Sequence, residues 1–293
     1  MGSLTPKLIL VPTDFSPASA HALRYASALA ERFEGHLLVM FADAFVPPIG
    51  FTGAAAGEFA LSRGGLIDET SEELIRFAEQ NISAKVPYDT RVVVDSPVRG
   101  ILDQAAEAGC DLVVMGTHGR TGVRRLVIGS VTETIIRTST IPVIAVNTLA
   151  PESATVARVL CPVNYTSACR EALLHAAGLT DSPTAPLILL RAIEEPDANG
   201  TAAELRRLHE WIPAELVDRC EMKIVPAHAS AEQILAMANT TAADLIALGA
   251  ERGHGMSDAM LGTTADRVVQ HSGCPVLAVS GMAVQMPTEE LAH

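Results

Sequence analysis

Apolar residues fall along this chain in short solid blocks, and between the blocks they recur at helical spacing. Leu8-Ile9-Leu10-Val11 leads into Pro12-Thr13-Asp14 as a fully buried strand running into a turn. Ser16-Pro17 then supplies a helix N-cap and a first-turn proline, and Ala20, Leu23, Ala26, Ala30 and Phe33 form a helical stripe that Gly35 ends. His36 to Phe41 read as a second buried strand, so strand, helix and strand predict a right-handed parallel βαβ unit. Residues 43–66, with Pro47, Pro48, Gly50, Gly53, Gly57, Gly64 and Gly65, read as a long loop at the carboxyl edge of the sheet. A mobile lid, a subunit contact and a flexible insertion all fit that stretch. The pattern continues as a helix from about Asp68 to Asn81, a strand near Thr90 to Val94, a helix from Pro97 to Ala108 and a strand into Gly116. A helix from Ser130 to Thr138 and a strand from Ile141 to Val146 complete it.

The pattern then restarts. Val159 to Asn164 mirrors the first strand, Leu187 to Arg191 the second, Asp244 to Gly249 the stretch Asp111 to Gly116, and Cys274 to Val279 the last strand. The offset is 150 residues at the first strand and 133 at the fourth, and the shortening falls where the second copy lacks the glycine-proline stretch. Two tandem α/β domains are expected, 1–150 and 151–293, each a doubly wound five-stranded parallel sheet flanked by helices. The boundary falls in the small and polar residues Thr148 to Ala154. In such a sheet ligands bind at the carboxyl ends of the strands, where the strand order reverses. That rule brings Pro12-Thr13-Asp14 beside the stretch from Gly116 to Ser130.

Composition narrows the function. At 293 residues and 48% hydrophobic, the chain can bury two cores. Its apolar runs are far short of the roughly 20 residues a membrane span needs, and no signal-like segment precedes the first strand, so a cytoplasmic protein is expected. A net charge of −13 argues against nucleic acid or an anionic membrane as partner. Residues 1–150 hold 16 acidic against 12 basic side chains, and residues 151–293 hold 18 against 9, so the first half is the better host for an anion. Five cysteines form no CxxC pair and read as small buried thiols.

The chemistry concentrates in Gly116-Thr117-His118-Gly119-Arg120-Thr121-Gly122-Val123-Arg124-Arg125-Leu126-Val127-Ile128-Gly129-Ser130, a loop between a strand and a helix start. Glycines allow close backbone approach, and a helix N-terminus offers free N–H groups, which together suit phosphate. Arg124 and Arg125 either meet phosphate charge or sit solvated in the loop. Ser130-Val131-Thr132-Glu133 fits a capping box, so the Ser130 hydroxyl could serve its own helix as well as a ligand. His118 reads as a polar loop residue, with no nucleophile or second base evident beside it. Asp14 could cap its own turn. A Walker A lysine motif, a dinucleotide GxGxxG, metal-ligand spacings and a serine-hydrolase elbow are all absent.

The spacing G-x2-G-x9-G-[ST], met by Gly116, Gly119, Gly129 and Ser130, together with Asp14 and the repeated Pro-Val of the last strand, resembles the universal stress protein family, in tandem over nearly the whole chain. The resemblance implies an adenine-nucleotide α-hydrolase-like fold and ATP, or ADP or AMP, as ligand. Magnesium could accompany it. Asp14 would lie beside the nucleoside, the backbone near Phe41 would line the adenine, and the glycine loop would wrap ribose and phosphates. The implied contact set is Pro12, Thr13, Asp14, Phe41, Met115, Gly116, His118, Gly119, Arg120, Arg124, Arg125, Gly129, Ser130 and Val131. It further implies a homodimer of the tandem chain. The second copy has Asn164 for Asp14, Glu251 for His118, Arg252 for Gly119 and Ser257-Asp258 for Arg124-Arg125, changes that disfavour a triphosphate. A nucleotide-dependent stress or signalling module leads, with no committed catalytic base. Its rivals are a slow ATPase and an interaction scaffold in which the last strands pair the repeats into an internal pseudo-dimer.

Overall fold

Each apolar block forms a strand, and the helical stretches cover both sheet faces. The computed structural model describes residues 4–44, 54–118, 128–194, 198–227, 230–251 and 263–281. Its first half runs β1 (Leu8–Thr13), α1 (Pro17–Phe33), β2 (His36–Ala42), α2 (Ala54–Asn81), β3 (Tyr88–Val93), α3 (Pro97–Glu107), β4 (Leu112–Gly116), α4 (Ser130–Thr138) and β5 (Val143–Val146). The second half repeats the sequence of elements as β6 (Val159–Pro162), α5 (Ser167–Gly178), β7 (Leu187–Ile193), α6 (Ala198–Trp211), β8 (Cys220–Pro226), α7 (Ser230–Thr240), β9 (Leu245–Glu251), α8 (Thr263–His271) and β10 (Val276–Gly281). A 3₁₀ turn, Ala214–Arg219, precedes β8.

The strand order is β3-β2-β1-β4-β5-β10-β9-β6-β7-β8. All pairs within a half are parallel, and the order reverses between β1 and β4 and again between β6 and β9. At the seam Val143, Ile144 and Ala145 pair antiparallel with Ala278, Leu277 and Val276, so two five-stranded sheets become one of ten strands. Both faces are covered, which is why the strands read as solid apolar blocks. Ile9, Val11, Leu37 and Val39 point into a core under α1, α2, α5 and α6. Leu10, Leu38, Val113 and Met115 point into the opposite core, under α3, α4, α7 and α8.

Two local expectations need correction. The stretch 43–66 is not one loop, because α2 already begins at Ala54 and contains Gly57, Gly64 and Gly65. Each glycine costs about 1 kcal/mol in a helix, but Ala, Leu, Glu and Arg around them favour it, and Leu74 and Ala78 anchor its far end in the core. Residues 45–53, with Pro47, Pro48, Gly50 and Gly53, lie outside the described residues. The left-handed cap of α1 is Glu34, at φ 51°, and not Gly35. Gly35 answers a different need, since a Cβ there would stand 3.1 Å from the Pro6 carbonyl oxygen.

A carboxylate ties the entry of the first strand to that of the fourth in each half. Asp111 Oδ2 accepts the N–H groups of Lys7 and Leu8 at 2.8 and 2.9 Å, and Asp244 Oδ2 accepts those of Ala157 and Arg158 at 3.0 and 2.9 Å. Asp244→Ala is therefore expected to lower unfolding free energy by about 1–3 kcal/mol, measured by urea denaturation, because two strand-entry donors lose their acceptor. Unchanged stability would mean that water replaces the carboxylate.

At the seam, Glu133 of α4 and Asp266 of α8 occupy equivalent positions of the repeat. Burial, then the charge of Glu133, push the Asp266 carboxyl up to about 6, and its Oδ1 is enclosed without a hydrogen-bond partner. An unfolded Asp titrates near 3.9, so the folded chain binds the extra proton between about pH 4 and pH 6. Ionisation of Asp266 thus lowers stability as pH rises through that window. Asp266→Asn is expected to melt higher than the parent at pH 7 and to lose the advantage at pH 4; thermal melts across that range measure it.

Candidate functional site

The carboxyl ends of β1 and β4 part where the strand order reverses, and a cleft of about 250 Å³ opens between them. Pro12, Thr13 and Asp14 form its β1 wall, and Phe41 lies at the end of β2. Met115 and Gly116 end β4 and His118 follows it, with Gly129, Ser130 and Val131 at the start of α4. Gly119, Arg120, Arg124 and Arg125 lie outside the described residues. Ser19, Met40, Ala42, Pro97, Ile101 and Thr132 also line the cleft and were not singled out from the sequence. Pro97 and Ile101 had a legible signal: they open the helix that follows β3 and so sit at the same sheet edge.

The turn after β1 is built from short side chains. Phe15 takes φ 62°, a left-handed conformation uncommon for a bulky residue. Its N–H donates to Thr13 Oγ1 at 3.0 Å, and the Thr13 hydroxyl donates to Ser19 Oγ at 3.0 Å. Asp14 Oδ1 accepts the Ser16 N–H at 3.0 Å while Ser16 Oγ accepts the Ser19 N–H at 3.2 Å as N-cap of α1. Asp14 therefore does brace its turn, and it also lines the cleft. The turn aims the Phe15 ring at Phe41 and Phe77, with centroids 4.9 and 5.4 Å away. The second half keeps the conformation with different side chains: Tyr165 has φ 64°, and Asn164 Oδ1 accepts the Thr166 N–H at 3.3 Å.

The start of α4 departs from the capping-box expectation. Gly129 is the N-cap, with no side-chain cap hydrogen bond, and Ser130 is already inside the helix and exposed. A glycine cap has no side chain to fold back over the first N–H groups of α4, which lie at the edge of the cleft. Two bonds fix the helix start against β4, Gly129 N–H to the Thr117 oxygen at 2.9 Å and Thr132 Oγ1 to the Gly116 oxygen at 2.8 Å. Gly116 itself is held close to α1, since a Cβ there would lie 2.9 Å from the Ala18 oxygen.

Among the described residues His118 contributes an unsatisfied polar atom to the cleft lining. Its Nδ1 lies 2.8 Å from Thr117 Oγ1, and its Nε2 is enclosed with no partner. Burial holds the imidazole below its ordinary value, so it is neutral at pH 7. Among the described residues no group of three His, Cys, Asp or Glu side chains stands ready to hold a metal ion, and no helix is long and apolar enough to cross a membrane. All five cysteines are free, four buried and Cys220 half-buried.

The sequence profile of the universal stress protein family matches residues 6–147 and again residues 155–280. The chain belongs to the universal stress protein family. This tandem universal stress protein is 31% identical to one from Methanocaldococcus jannaschii over 140 residues, which are 48% of this chain and 81% of the relative. A universal stress protein from Archaeoglobus fulgidus shares the fold over 97% of both chains, with TM-score 0.63 and 20% identity. Another, solved in complex with cAMP, aligns with 48% of this chain and 97% of its own at 22% identity and TM-score 0.36.

An NMR titration of the His118 ring protons in this universal stress protein is expected to give a midpoint below the ordinary 6.5. A midpoint at or above that value would mean that water reaches Nε2.

Proposed function

We propose that the first half is an adenine-nucleotide module, in which ATP, or ADP or AMP, occupies the cleft between β1 and β4 and sets a stress or signalling output. The observation that carries this is the start of α4, which faces the cleft with a glycine N-cap and, among the described residues, no side-chain cap hydrogen bond. Phosphate oxygens satisfy such donors and meet the positive end of the helix dipole. Gly116, Gly119 and Gly129-Ser130 let the backbone follow a phosphate chain, Arg120, Arg124 and Arg125 add charge, and the backbone near Phe41, with Met115 and Val131, gives adenine an apolar bed. Asp14 stands beside the nucleoside. Magnesium would be held chiefly by the phosphates, because the described residues supply no cluster of ligands for it.

The same ligand is not assigned to the second half, where Arg252 replaces Gly119 and carboxylates stand at 251 and 258. A slow ATPase has one observation in its favour, the neutral, unpartnered His118 Nε2, and no described hydrogen bond joins that nitrogen to a second group that could share the proton work. A homodimer of the tandem chain is also proposed. It needs a surface other than β5 and β10, which cover each other.

ATP at about 100 times its dissociation constant is expected to add ~2.7 kcal/mol of stability, read as a thermal shift, and Gly119→Arg is expected to abolish the gain. cAMP, with a single phosphate, is expected to stabilise less at equal concentration. No shift with millimolar ATP, together with no nucleotide released when purified protein is denatured, would sink the proposal and leave the scaffold reading.

A further inference from the structure

The ten-stranded sheet has two free edges, β3 and β8, and they are not alike. β3 pairs with β2, and the Leu37 and Asp43 N–H groups donate to the Pro87 and Val93 oxygens at 3.0 and 2.7 Å. The odd-numbered residues of β3 therefore face β2. Tyr88, Thr90 and Val92 turn their N–H and C=O groups out of the sheet, and among the described residues no backbone group pairs with them. β8 repeats the charges of β3, with Glu221 and Lys223 for Asp89 and Arg91, but its edge is blunted. Ala227 N–H donates to the Ile193 oxygen at 2.7 Å, so Cys220 and Pro226 lie on the outer side of β8. The Cys220 N–H is spent on the Val217 oxygen of the 3₁₀ turn, and Pro226 has no N–H to offer.

An open edge strand is a template for another strand, and charged side chains are the usual guard against it. On β3 the charges favour pairing when the second strand is β3 of another copy. Laid antiparallel about Thr90, Tyr88-Asp89-Thr90-Arg91-Val92 is its own complement: Tyr88 meets the partner's Val92, Asp89 the partner's Arg91, and Thr90 the partner's Thr90. The backbone falls into the same register. Residues 88, 90 and 92 take the hydrogen-bonded positions, where opposed residues exchange both N–H···O bonds, and 89 and 91 take the positions between, where side chains stand closest. Aromatic against β-branched, threonine against threonine and acid against base are each favourable cross-strand pairs. The Asp89 side chain is 77% exposed, with Oδ2 at 2.9 Å from His36 Nε2. Arg91 is exposed and places Nη1 on Gln104 Oε1 at 2.6 Å, which leaves it further N–H donors. We propose that β3 is the homodimer surface, joining a second copy of this chain edge to edge so that one sheet runs through both. The proposal rests on the homodimer reading and adds its surface and register. It uses no residue lining the first cleft, nor any lining the matching cleft of about 320 Å³ at the ends of β6 and β9.

Sedimentation velocity of the full chain at micromolar concentrations is expected to show a dimer. Asp89→Arg alone sets guanidinium against guanidinium, and Arg91→Asp alone sets carboxylate against carboxylate. Each is expected to raise the dissociation constant at least about tenfold while circular dichroism stays that of the parent. Mixed in equal amounts, the two variants bring opposite charges together at both places, and a heterodimer is expected that neither variant matches by itself. Lys223→Glu, on the other edge, is expected to leave the dimer unchanged. A dimer that both single variants keep, a mixture that stays monomeric, or a dimer lost in Lys223→Glu would overturn the β3 assignment and leave the homodimer reading standing. A parent chain that stays monomeric up to about 100 μM would overturn both.

Discussion

The structure depends on β1 and β4 lying side by side while their helices depart to opposite faces. Asp111 and Asp244 fix the strands at their entry, and the close contacts of Gly116 with α1 and of Gly249 with α5 fix them at their exit. With α1 bound to one face and α4 to the other, the described residues leave a space open beyond the strand ends. The cleft is what remains when a parallel sheet reverses its order. Its walls are strand termini and helix first turns, so its residues come from distant parts of the sequence, and its floor is as rigid as the sheet.

Much of this was legible in the residues. Solid blocks such as Leu8 to Val11 and Leu112 to Met115 could only be strands buried on both faces, and the 150- and 133-residue offsets gave the duplication. Ser16-Pro17 marked a helix start because the proline ring and the hydroxyl cap act locally. Where the sequence misled, a longer-range term had won. The glycines of α2 signalled a loop, but a helix anchored in the core at Leu74 absorbs them. Gly35 looked like a cap, whereas its small size serves the carbonyls before β1. Ser130 had the right neighbours for a capping box, yet a register one residue earlier puts Gly129 at the cap and frees the hydroxyl. The contributions of α3, Pro97 and Ile101, were legible only by placing the start of the helix after β3 at the same sheet edge as the turns after β1 and β4.

The two halves compare like two variants of one scaffold. The left-handed residue after the first strand survives with Phe15 or Tyr165, and the turn is braced by Asp14 at 3.0 Å or by Asn164 at 3.3 Å, so the backbone does not demand a carboxylate there. What differs is the side chains at matching positions: Phe41 against Arg191 in the two linings, and a glycine packed near Val93, Ala42 and Met40 at 100 against the amide of Gln233. Fold upkeep and ligand chemistry are thus separable by inspection, because the same geometry is upheld twice with different side chains.

The β5–β10 pairing has one more consequence. Two separate, identical chains joined along these strands would carry every substitution in duplicate, and a change that suited one cleft would be forced on the other. A covalent link between the halves makes the pairing intramolecular, so it holds at any dilution. It also frees each cleft from its twin. One gene can then hold two unlike pockets on either side of the seam of a single ten-stranded sheet, with the charge of Glu133 felt by Asp266 across that seam as the trace of a symmetry that the side chains no longer obey.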